Sequence, residues 1–354
     1  MNVMLDKAEC AMLKAVAIVL IMAHNFCHLL SGIGVVPENE YSFRVERVRQ
    51  LCDCLLHPDV SLLHHLLSFF GHYGVPVFLF LSGYGLVMKY ERQKSSMPGA
   101  SRFIGRHYVK LLKLMALGLV AYYVILFFQQ DHFVLGKKNV LTQLLMCVNL
   151  LPQPWYHIKP GPYWFFGLMM QLYIIYRLLL YAPRQGTWRR WVWPVLFIML
   201  CWVAQVWGSR HGMLYWMRYN FFVAALPLSM GLLAGRYCPP IALKRWQWLA
   251  LMAMASVAVF LMNFKFHLWL WSPVMVVIAA IALVKALPAR CHGVLVWTGG
   301  VSAMLFVVHP LVRAVVIQYA SADVVADYGL LLLYLLVSVV LAVGYRWLLD
   351  RIRI

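Results

Sequence analysis

The hydrophobic positions of this chain fall into long continuous runs, and short polar segments rich in Lys and Arg separate them. A helix needs about 20 consecutive apolar residues to cross a bilayer, whereas a barrel strand alternates apolar and polar residues. The pattern therefore predicts an all-α polytopic membrane bundle of about ten transmembrane helices. The predicted spans are residues 10–30, 66–88, 108–128, 163–181, 191–207, 220–236, 246–264, 267–287, 296–318 and 328–349.

One further apolar run, residues 140–151, is too short to cross a membrane. It is predicted to form an interfacial or re-entrant helix. The sequence contains no evident internal repeat and no linker long enough to separate two domains. We therefore expect residues 1–354 to form one membrane domain, with no appended soluble domain.

The composition of the chain strengthens the membrane assignment. Of the 354 residues, 63% are hydrophobic and only 12% are charged, whereas soluble globular proteins have about 25% charged residues. The mean hydropathy is +0.75. These values exclude an ordinary water-soluble domain, a disordered chain and a disulfide-stapled secreted domain.

The charge of the chain carries information about its orientation. There are 31 Lys and Arg residues against 12 Asp and Glu residues, a formal net charge of +19. In a soluble protein this excess would indicate nucleic-acid binding. Here the basic residues lie between apolar runs, and cytoplasmic loops are the ones that collect Lys and Arg. We therefore predict a multi-pass protein of the cell membrane with both termini cytoplasmic, whose surroundings are the lipid bilayer rather than nucleic acid.

Among the ionisable residues inside predicted spans, four stand out: Lys14 and His24 in the first, His72 in the second and His309 in the ninth. A charge at the bilayer centre costs at least about 2.5–3.5 kcal/mol, so such residues usually face a cavity or a partner. His28 lies one turn beyond His24, and imidazole can take and return a proton. The plainer alternatives are a structural role for each histidine and an anchoring role for Lys14 at the inner interface.

Five short motifs follow one another along the chain. They are Lys14 with His24, residues 74–84 (GVPVFLFLSGY), residues 103–113 (FIGRHYVKLLK), residues 163–166 (YWFF) with 171–173 (QLY), and Ser302 through His309-Pro310. On these motifs the chain resembles the integral-membrane acyltransferase family 3, whose members acylate sugars and polysaccharides. The order of the motifs is more specific than any one of them alone.

Three features depart from the commoner pattern of that family. The family motif in the first span is Arg, ten residues, then His, whereas nine residues separate Lys14 from His24. An offset of ten leaves two side chains about 80° apart on a helix, against about 20° for eleven. Lysine also lacks the bidentate fork of arginine. Gln171 stands where many members have Glu, and Lys110 and Lys113 stand where Arg is frequent.

The resemblance implies transfer of an acyl group, most often acetyl, from cytoplasmic acyl-CoA to a hydroxyl of a cell-surface glycan or glycolipid precursor. Acyl-CoA would be a co-substrate, and we expect no tightly bound cofactor and no metal. A sugar hydroxyl needs a base, and CoA phosphates need Lys or Arg. The predicted residues are His24, Lys14 and His309 for catalysis, Arg102, Arg106, Lys110 and Lys113 for CoA, and Tyr163, Trp164, Asn25, Ser82 and His72 for substrate binding.

Alternative explanations remain open at the level of sequence. The basic cluster also serves as a topological signal, and Tyr163 and Trp164 fit an aromatic belt. Cys52 and Cys54, with His57 nearby, lack the spacing of common zinc motifs. A transporter or flippase would use His and Lys inside the membrane as a proton relay, and a scaffold protein would need neither. The acceptor glycan, the acyl chain and the oligomeric state do not follow from the sequence.

Overall fold

The computed structural model describes residues 3–30, 32–92, 97–129, 136–182, 187–321 and 323–351. Within these ranges all regular secondary structure is helical, and nine helical segments are long and apolar enough to cross a membrane. The predicted all-α polytopic membrane fold is therefore confirmed. The α-helices are α1 (Lys7–Cys27), α2 (Val45–Leu56), α3 (Leu62–Phe70), α4 (Gly74–Tyr90), α5 (Ala100–Gln129), α6 (Lys137–Leu144), α7 (Trp164–Ile175), α8 (Arg189–Arg210), α9 (Leu214–Arg218), α10 (Phe221–Tyr237), α11 (Arg245–Met262), α12 (Phe266–Trp269), α13 (Ser272–Ala286), α14 (His292–Val316) and α15 (Val324–Arg351).

The eighth predicted span, residues 267–287, is shorter in the structure. The chain forms the four-residue α12 and then α13. The 15 residues of α13 extend about 22 Å, which is less than the roughly 30 Å of a bilayer core. Pro273 lies in the first turn of α13, where proline is tolerated because the N–H it lacks would have no intrahelical partner. The predicted span is therefore too long at its N-terminal end.

The helix predicted for residues 140–151 is not continuous. α6 begins before this run and ends at Leu144. Met146 has a φ of 56°, in the left-handed region that terminates helices. A single 3-10 turn, Val148–Leu150, follows. The run therefore consists of two short helical pieces joined by a turn.

α1 is surrounded by other helices on several sides. It packs against α3, α4 and α14, while α10 packs against α4 and α8. The apolar stretches of α1, α4, α10 and α14 are mostly buried, whereas only 17%, 17% and 22% of those of α5, α11 and α15 are buried. Because exposed apolar helix faces in a membrane protein contact lipid, α5, α11 and α15 form part of the outer wall. The helix that carries Lys14 and His24 thus belongs to the interior of the bundle.

Two glycines allow the turn between α3 and α4 to approach α1 closely. A Cβ atom at Gly71 would lie 2.6 Å from the Cβ of His24, and one at Gly74 would overlap the carbonyl oxygen of Ala17. Small residues allow membrane helices to pack backbone against backbone in this way. The backbone at Gly71 therefore helps to fix the position of His24.

A buried ion pair joins the ends of α4 and α10. Glu91 directly follows α4, and its two carboxylate oxygens accept hydrogen bonds from Nη2 (2.7 Å) and Nε (2.8 Å) of Arg236. Both side chains are fully buried, and the hydroxyl of Tyr176 donates a further hydrogen bond to Glu91 at 3.2 Å. Because a bidentate Arg–carboxylate pair has a fixed geometry, it holds these helix ends together.

Candidate active site

A cavity of about 460 Å³ lies between α1, α4, α5, α7 and α14. It extends along α1 from Lys14 to His28, which is about 21 Å at 1.5 Å per residue. Apolar and aromatic side chains contribute most of its wall. Its polar and ionisable lining residues are Lys14, His24, Asn25, His28, Glu38, Glu40, Tyr41, His72, Ser82, Lys110, Tyr173, Tyr219, Ser302 and Arg313.

The two ends of the cavity differ in their chemistry. Lys14 and Lys110 line the end nearer the N-termini of α1 and α5, which the loop charges predict to be cytoplasmic. His24 lies toward the other end of α1, which is predicted to be external. Carboxyl groups from Glu38 and Glu40 line this outer end with it. One cavity therefore joins a basic inner end to an outer end of imidazole and carboxyl groups.

The hydrogen bonding of His24 determines which ring nitrogen can act as a base. Its Nδ1 atom lies 2.8 Å from the backbone carbonyl oxygen of Ser68. A carbonyl oxygen only accepts hydrogen bonds, so in the neutral ring Nδ1 carries the hydrogen and Nε2 keeps its lone pair. Nε2 lies 3.9 Å from a carboxyl oxygen of Glu40. The basic nitrogen of the ring therefore faces Glu40, in the segment that leads from α1 to α2.

The rings of two more histidines contact the ring of His24. The His28 ring stacks on it with centroids 5.4 Å apart, and the His72 ring is tilted at 5.7 Å. Neither ring nitrogen of His72 makes a hydrogen bond of ordinary geometry among the described residues, although the ring lies beside the backbone of Phe69. Since a buried imidazole without a partner is costly, an unsatisfied His72 in the cavity wall is a candidate contact for a bound molecule.

Residues 35–44, which we name the return segment, lead from α1 to α2 and cover the outer end of the cavity. Ser68 donates a hydrogen bond from its hydroxyl to the carbonyl oxygen of Val36 at 2.9 Å. Arg47 donates to the carbonyl oxygen of Glu38. The carboxylate of Glu38 lies 2.9 Å from Nδ1 of His28. The return segment is therefore tied to α1, α2 and α3 beside His24.

The two carboxyl groups of the return segment have opposite pKa shifts. Burial alone would raise the pKa of Glu38, but the hydrogen bond and charge of His28, together with His24 and His72, outweigh burial and lower it to about 2. Burial raises the pKa of Glu40 to about 8, and the negative charge of Glu38 adds to that rise. At neutral pH Glu38 is therefore ionised and Glu40 holds its proton, a division typical of paired carboxyl groups with different tasks.

The basic residues predicted to bind CoA share one face of α5. Arg102, Arg106, Lys110 and Lys113 are spaced by four, four and three residues, which keeps them within about 80° of one another on a helix. All four are exposed, and Lys110 lines the cavity while the other three do not. The structure thus places Lys110 at the cavity and leaves Arg102, Arg106 and Lys113 outside it on the same helix.

Two further predicted site residues, His309 and Tyr163, are also not brought to the cavity. The side chain of His309, on α14, is completely buried. Its ring lies edge to face against the ring of Phe306, with centroids 5.9 Å apart. The hydroxyl of Tyr163 donates a hydrogen bond to the carbonyl oxygen of Val307 at 3.0 Å. Tyr163 is hydrogen-bonded to α14 and His309 is enclosed by packing around α14. Neither side chain therefore lies on the part of the cavity surface that the structure describes.

The other predicted substrate-binding residues do line the cavity. Asn25 accepts a hydrogen bond from Nη1 of Arg313 at 2.7 Å, and the hydroxyl of Ser82 donates to the carbonyl oxygen of Phe78 at 2.8 Å. Trp164 contacts the ring of Tyr41 edge to face at 6.3 Å. These contacts hold the three side chains in place at the wall.

Several cavity residues were missed by the sequence analysis. Arg313 follows His309 by one helical turn inside an apolar run, so its burial could have been noticed as a charge within a span. Glu38 and Glu40 lie between the first and second predicted spans, and no periodicity in this loop indicates that it returns to the helix bundle. The ligand atoms of His24, Glu38 and Glu40 lie within 4.8 Å of one another, so these three residues have the types and spacing that a divalent cation could use.

Comparison with known proteins bears on what this cavity does. The chain matches the family described as an acyltransferase domain, acyltransferase family 3, over residues 11–348. No curated protein and no solved structure matches the chain. The matched range includes every cavity residue named above. Because the match covers nearly the whole chain, this multi-pass membrane protein belongs to the acyltransferase family 3.

Proposed function

We propose that this protein is an O-acyltransferase of the plasma membrane. It would move an acyl group, most often acetyl, from cytoplasmic acyl-CoA to a hydroxyl of a cell-surface glycan or glycolipid precursor. Family membership supports acyltransferase activity. The observation that carries the finer proposal is that Lys14 and Lys110 line the same cavity as His24, so donor and acceptor can meet beside one base.

The donor would approach along the basic face of α5. Arg106 and Arg102 precede Lys110 by one and two helical turns on the exposed side of this helix. Arginine and lysine bind phosphate through charge-assisted hydrogen bonds. CoA phosphates held there would leave the thioester arm free to enter the cavity past Lys110, toward His24.

The acceptor would occupy the outer end of the cavity. Rings of Trp164, Tyr41 and Tyr219 line this end, and they offer a sugar ring apolar faces. Asn25 and His28 add polar groups that can fix its orientation. A mostly apolar cavity with a few convergent polar groups is the usual form of a small-molecule site.

In this reaction His24 acts as general base and then as general acid. Nε2 of His24 takes the proton of the acceptor hydroxyl as its oxygen attacks the thioester carbonyl. The new C–O bond forms, the C–S bond breaks, and the departing CoA thiolate receives the proton from the imidazolium. The transient oxyanion needs a donor already in place, and the ammonium group of Lys14 is our candidate.

Purified protein in lipid nanodiscs, supplied with acetyl-CoA, tests this proposal through the release of free CoA. Removing a general base lowers rates by about 10²–10⁴-fold. We therefore expect His24→Ala to lose at least about 10²-fold in rate while keeping the melting temperature of the parent. Mass analysis of surface glycans from cells with and without the protein would identify the acceptor.

His211→Ala is a matched control, because His211 is exposed at the end of α8 and should not affect the rate. Equal CoA release by the parent and His24→Ala would exclude His24 as the base. Proton-coupled solute uptake into liposomes, without CoA release, would instead support a transporter.

A further inference from the structure

We infer that Glu40 forms the second half of the acceptor site, so that the substrate hydroxyl is held between the Glu40 carboxyl group and Nε2 of His24. This inference rests on the proposed function and assigns Glu40, on the return segment, as a positioning residue for the acceptor. It also states what the site recognises: an oxygen that donates one hydrogen bond and accepts another.

The distance between the two groups fits one oxygen atom. Nε2 of His24 and Oε2 of Glu40 are 3.9 Å apart, which is too far for a direct hydrogen bond. At an oxygen about 2.8 Å from both atoms, the two hydrogen bonds would form an angle of about 90°, close to what a hydroxyl can accommodate. Both residues line the cavity, so a substrate oxygen can approach them from it.

The hydrogen-bonding roles of the two groups are complementary. The Ser68 carbonyl leaves Nε2 of His24 as an acceptor. Because the pKa of Glu40 is raised to about 8, its carboxyl group carries a hydrogen at neutral pH and can donate it. A hydroxyl bound here would accept from Glu40 and donate to His24, whereas a protonated amine has no lone pair with which to accept. The site therefore favours alcohols as acceptors.

Glu38 has a different task from Glu40, although it is only two residues away. Its carboxylate is already in contact with His28 at 2.9 Å. Its negative charge contributes to the raised pKa of Glu40. The titratable and charged groups around Glu40 are Glu38, Tyr41, His24, His72, Arg218, Tyr215 and Tyr219.

In the reaction Glu40 keeps its own proton. The hydroxyl proton passes to Nε2 of His24 and then to the CoA thiolate, and the only bonds exchanged between heavy atoms are the new C–O and the broken C–S bond. Glu40 holds the attacking oxygen in line, and misplacement of a reacting group by about 1 Å can cost about 10²-fold in rate.

The pH dependence of the rate tests the inference, with acetyl-CoA as donor and water, the smallest hydroxyl compound, as acceptor. The protonated form of Glu40 is the active one, so the rate of the parent should fall as pH rises through about 8. Glu40→Gln, whose amide still donates, should keep at least about a third of the rate at pH 7 and lose this alkaline fall. Glu40→Ala should be about tenfold slower or worse at pH 7.

Two further variants separate this explanation from a structural one. Glu38→Gln removes a negative charge beside Glu40, so the alkaline fall should move to lower pH. Glu46→Gln alters an exposed carboxylate on α2 and should leave the profile unchanged. Melting temperatures of all variants report whether the return segment still folds.

Parental alkaline behaviour in Glu40→Gln, or a parental rate in Glu40→Ala, would overturn the inference. Loss of activity with EDTA and recovery with Zn²⁺ would also overturn it, because Glu40 would then be a metal ligand. These results are distinct from failure of the proposed function, in which the parent and His24→Ala would release CoA equally.

Discussion

At the scale of residues, two lysines line the inner end of the cavity in different surroundings, and we propose different tasks for them. Lys110 lies on an exposed helix face, whereas Lys14 lies on the interior helix α1. The family pattern has Arg at the position of Lys14, and a lysine presents a compact point charge rather than a planar fork. Such a point charge can stabilise a developing oxyanion from several directions, whereas the fork of arginine holds a carboxylate or phosphate in one orientation. We therefore expect Lys110 to act in binding and Lys14 in the chemical step.

Kinetic measurements distinguish these two roles. Lys110→Met removes a charge-assisted contact worth about 1.5 kcal/mol, so the KM for acetyl-CoA should rise about tenfold with less than about a threefold change in kcat. Lys14→Met should instead lower kcat by about 10²-fold, as loss of an oxyanion donor does. Both values come from the rate of CoA release at varied acetyl-CoA concentration.

Lys138→Met is the control for these substitutions, because Lys138 is an exposed lysine on α6. It should change neither parameter. If Lys14→Met raised only KM, Lys14 would be a second binding charge, and the oxyanion donor would have to be another cavity residue.

At the scale of elements, the site depends on how closely the turn between α3 and α4 approaches α1. Ser68, on α3, bonds His24 through its carbonyl oxygen and the return segment through its hydroxyl. Gly71 lies one turn later, against the backbone of α1. A single contact between elements therefore sets the tautomer of His24, its position and the placement of the carboxyl groups that cover it.

Gly71→Ala tests this dependence. The added Cβ would lie 2.6 Å from the Cβ of His24 and from the carbonyl oxygen of Leu20, so α3 and α1 must separate. Overpacking of this kind costs about 1–3 kcal/mol. We expect a lower melting temperature and a loss of about 10²-fold in CoA release, because His24 shifts relative to its partners.

Gly105→Ala provides the comparison, because Gly105 is exposed on α5 and, apart from the backbone of α5 and the two neighbouring residues, no described atom lies within 4 Å of the position its Cβ would take. Alanine there should stabilise the helix by up to about 1 kcal/mol and leave activity intact. Parental activity in Gly71→Ala would show that the close approach of α3 to α1 is not needed for catalysis.

At the scale of the whole molecule, the proposed mechanism requires the two ends of the cavity to face different compartments. Acyl-CoA is cytoplasmic, and the basic inner end lies where the loop charges predict the cytoplasm. The carboxyl groups of the return segment lie at the opposite end. The orientation of the bundle therefore decides from which side donor and acceptor enter.

Native cysteines can report this orientation. Cys54 lies on α2, beyond the predicted outer end of α1, and Cys238 lies just after α10 on the predicted cytoplasmic side. Both are partly exposed and free. A membrane-impermeant maleimide should label a variant that keeps only Cys54 in intact cells. It should label a variant that keeps only Cys238 only after the cells have been permeabilised. The reverse pattern would invert the proposed entry of donor and acceptor.

The amino-acid sequence by itself determined that the chain crosses the membrane and where most of its spans lie. It also identified the cluster of basic residues that shares one face of α5. Hydrophobic runs carry this information because the bilayer selects each helix largely by its own composition. The motif around Lys14 and His24 also identified the helix on which the site is built. Even the error at α13 is local, since this helix begins only at Ser272, with Pro273 in its first turn, inside an apolar run that composition alone extends further toward the N-terminus.

Only the tertiary structure decided which side chains share the cavity. Ser82 lines it because α4 packs against α1, and Lys110 lines it because α5 packs against α14 and α7, whereas the side chain of His309 is completely buried within α14. Glu40 enters the site through an irregular segment, and such a segment has no periodicity from which a direction could be read. A contact between residues far apart in sequence depends on how the elements pack, and the packing is a property of the whole bundle.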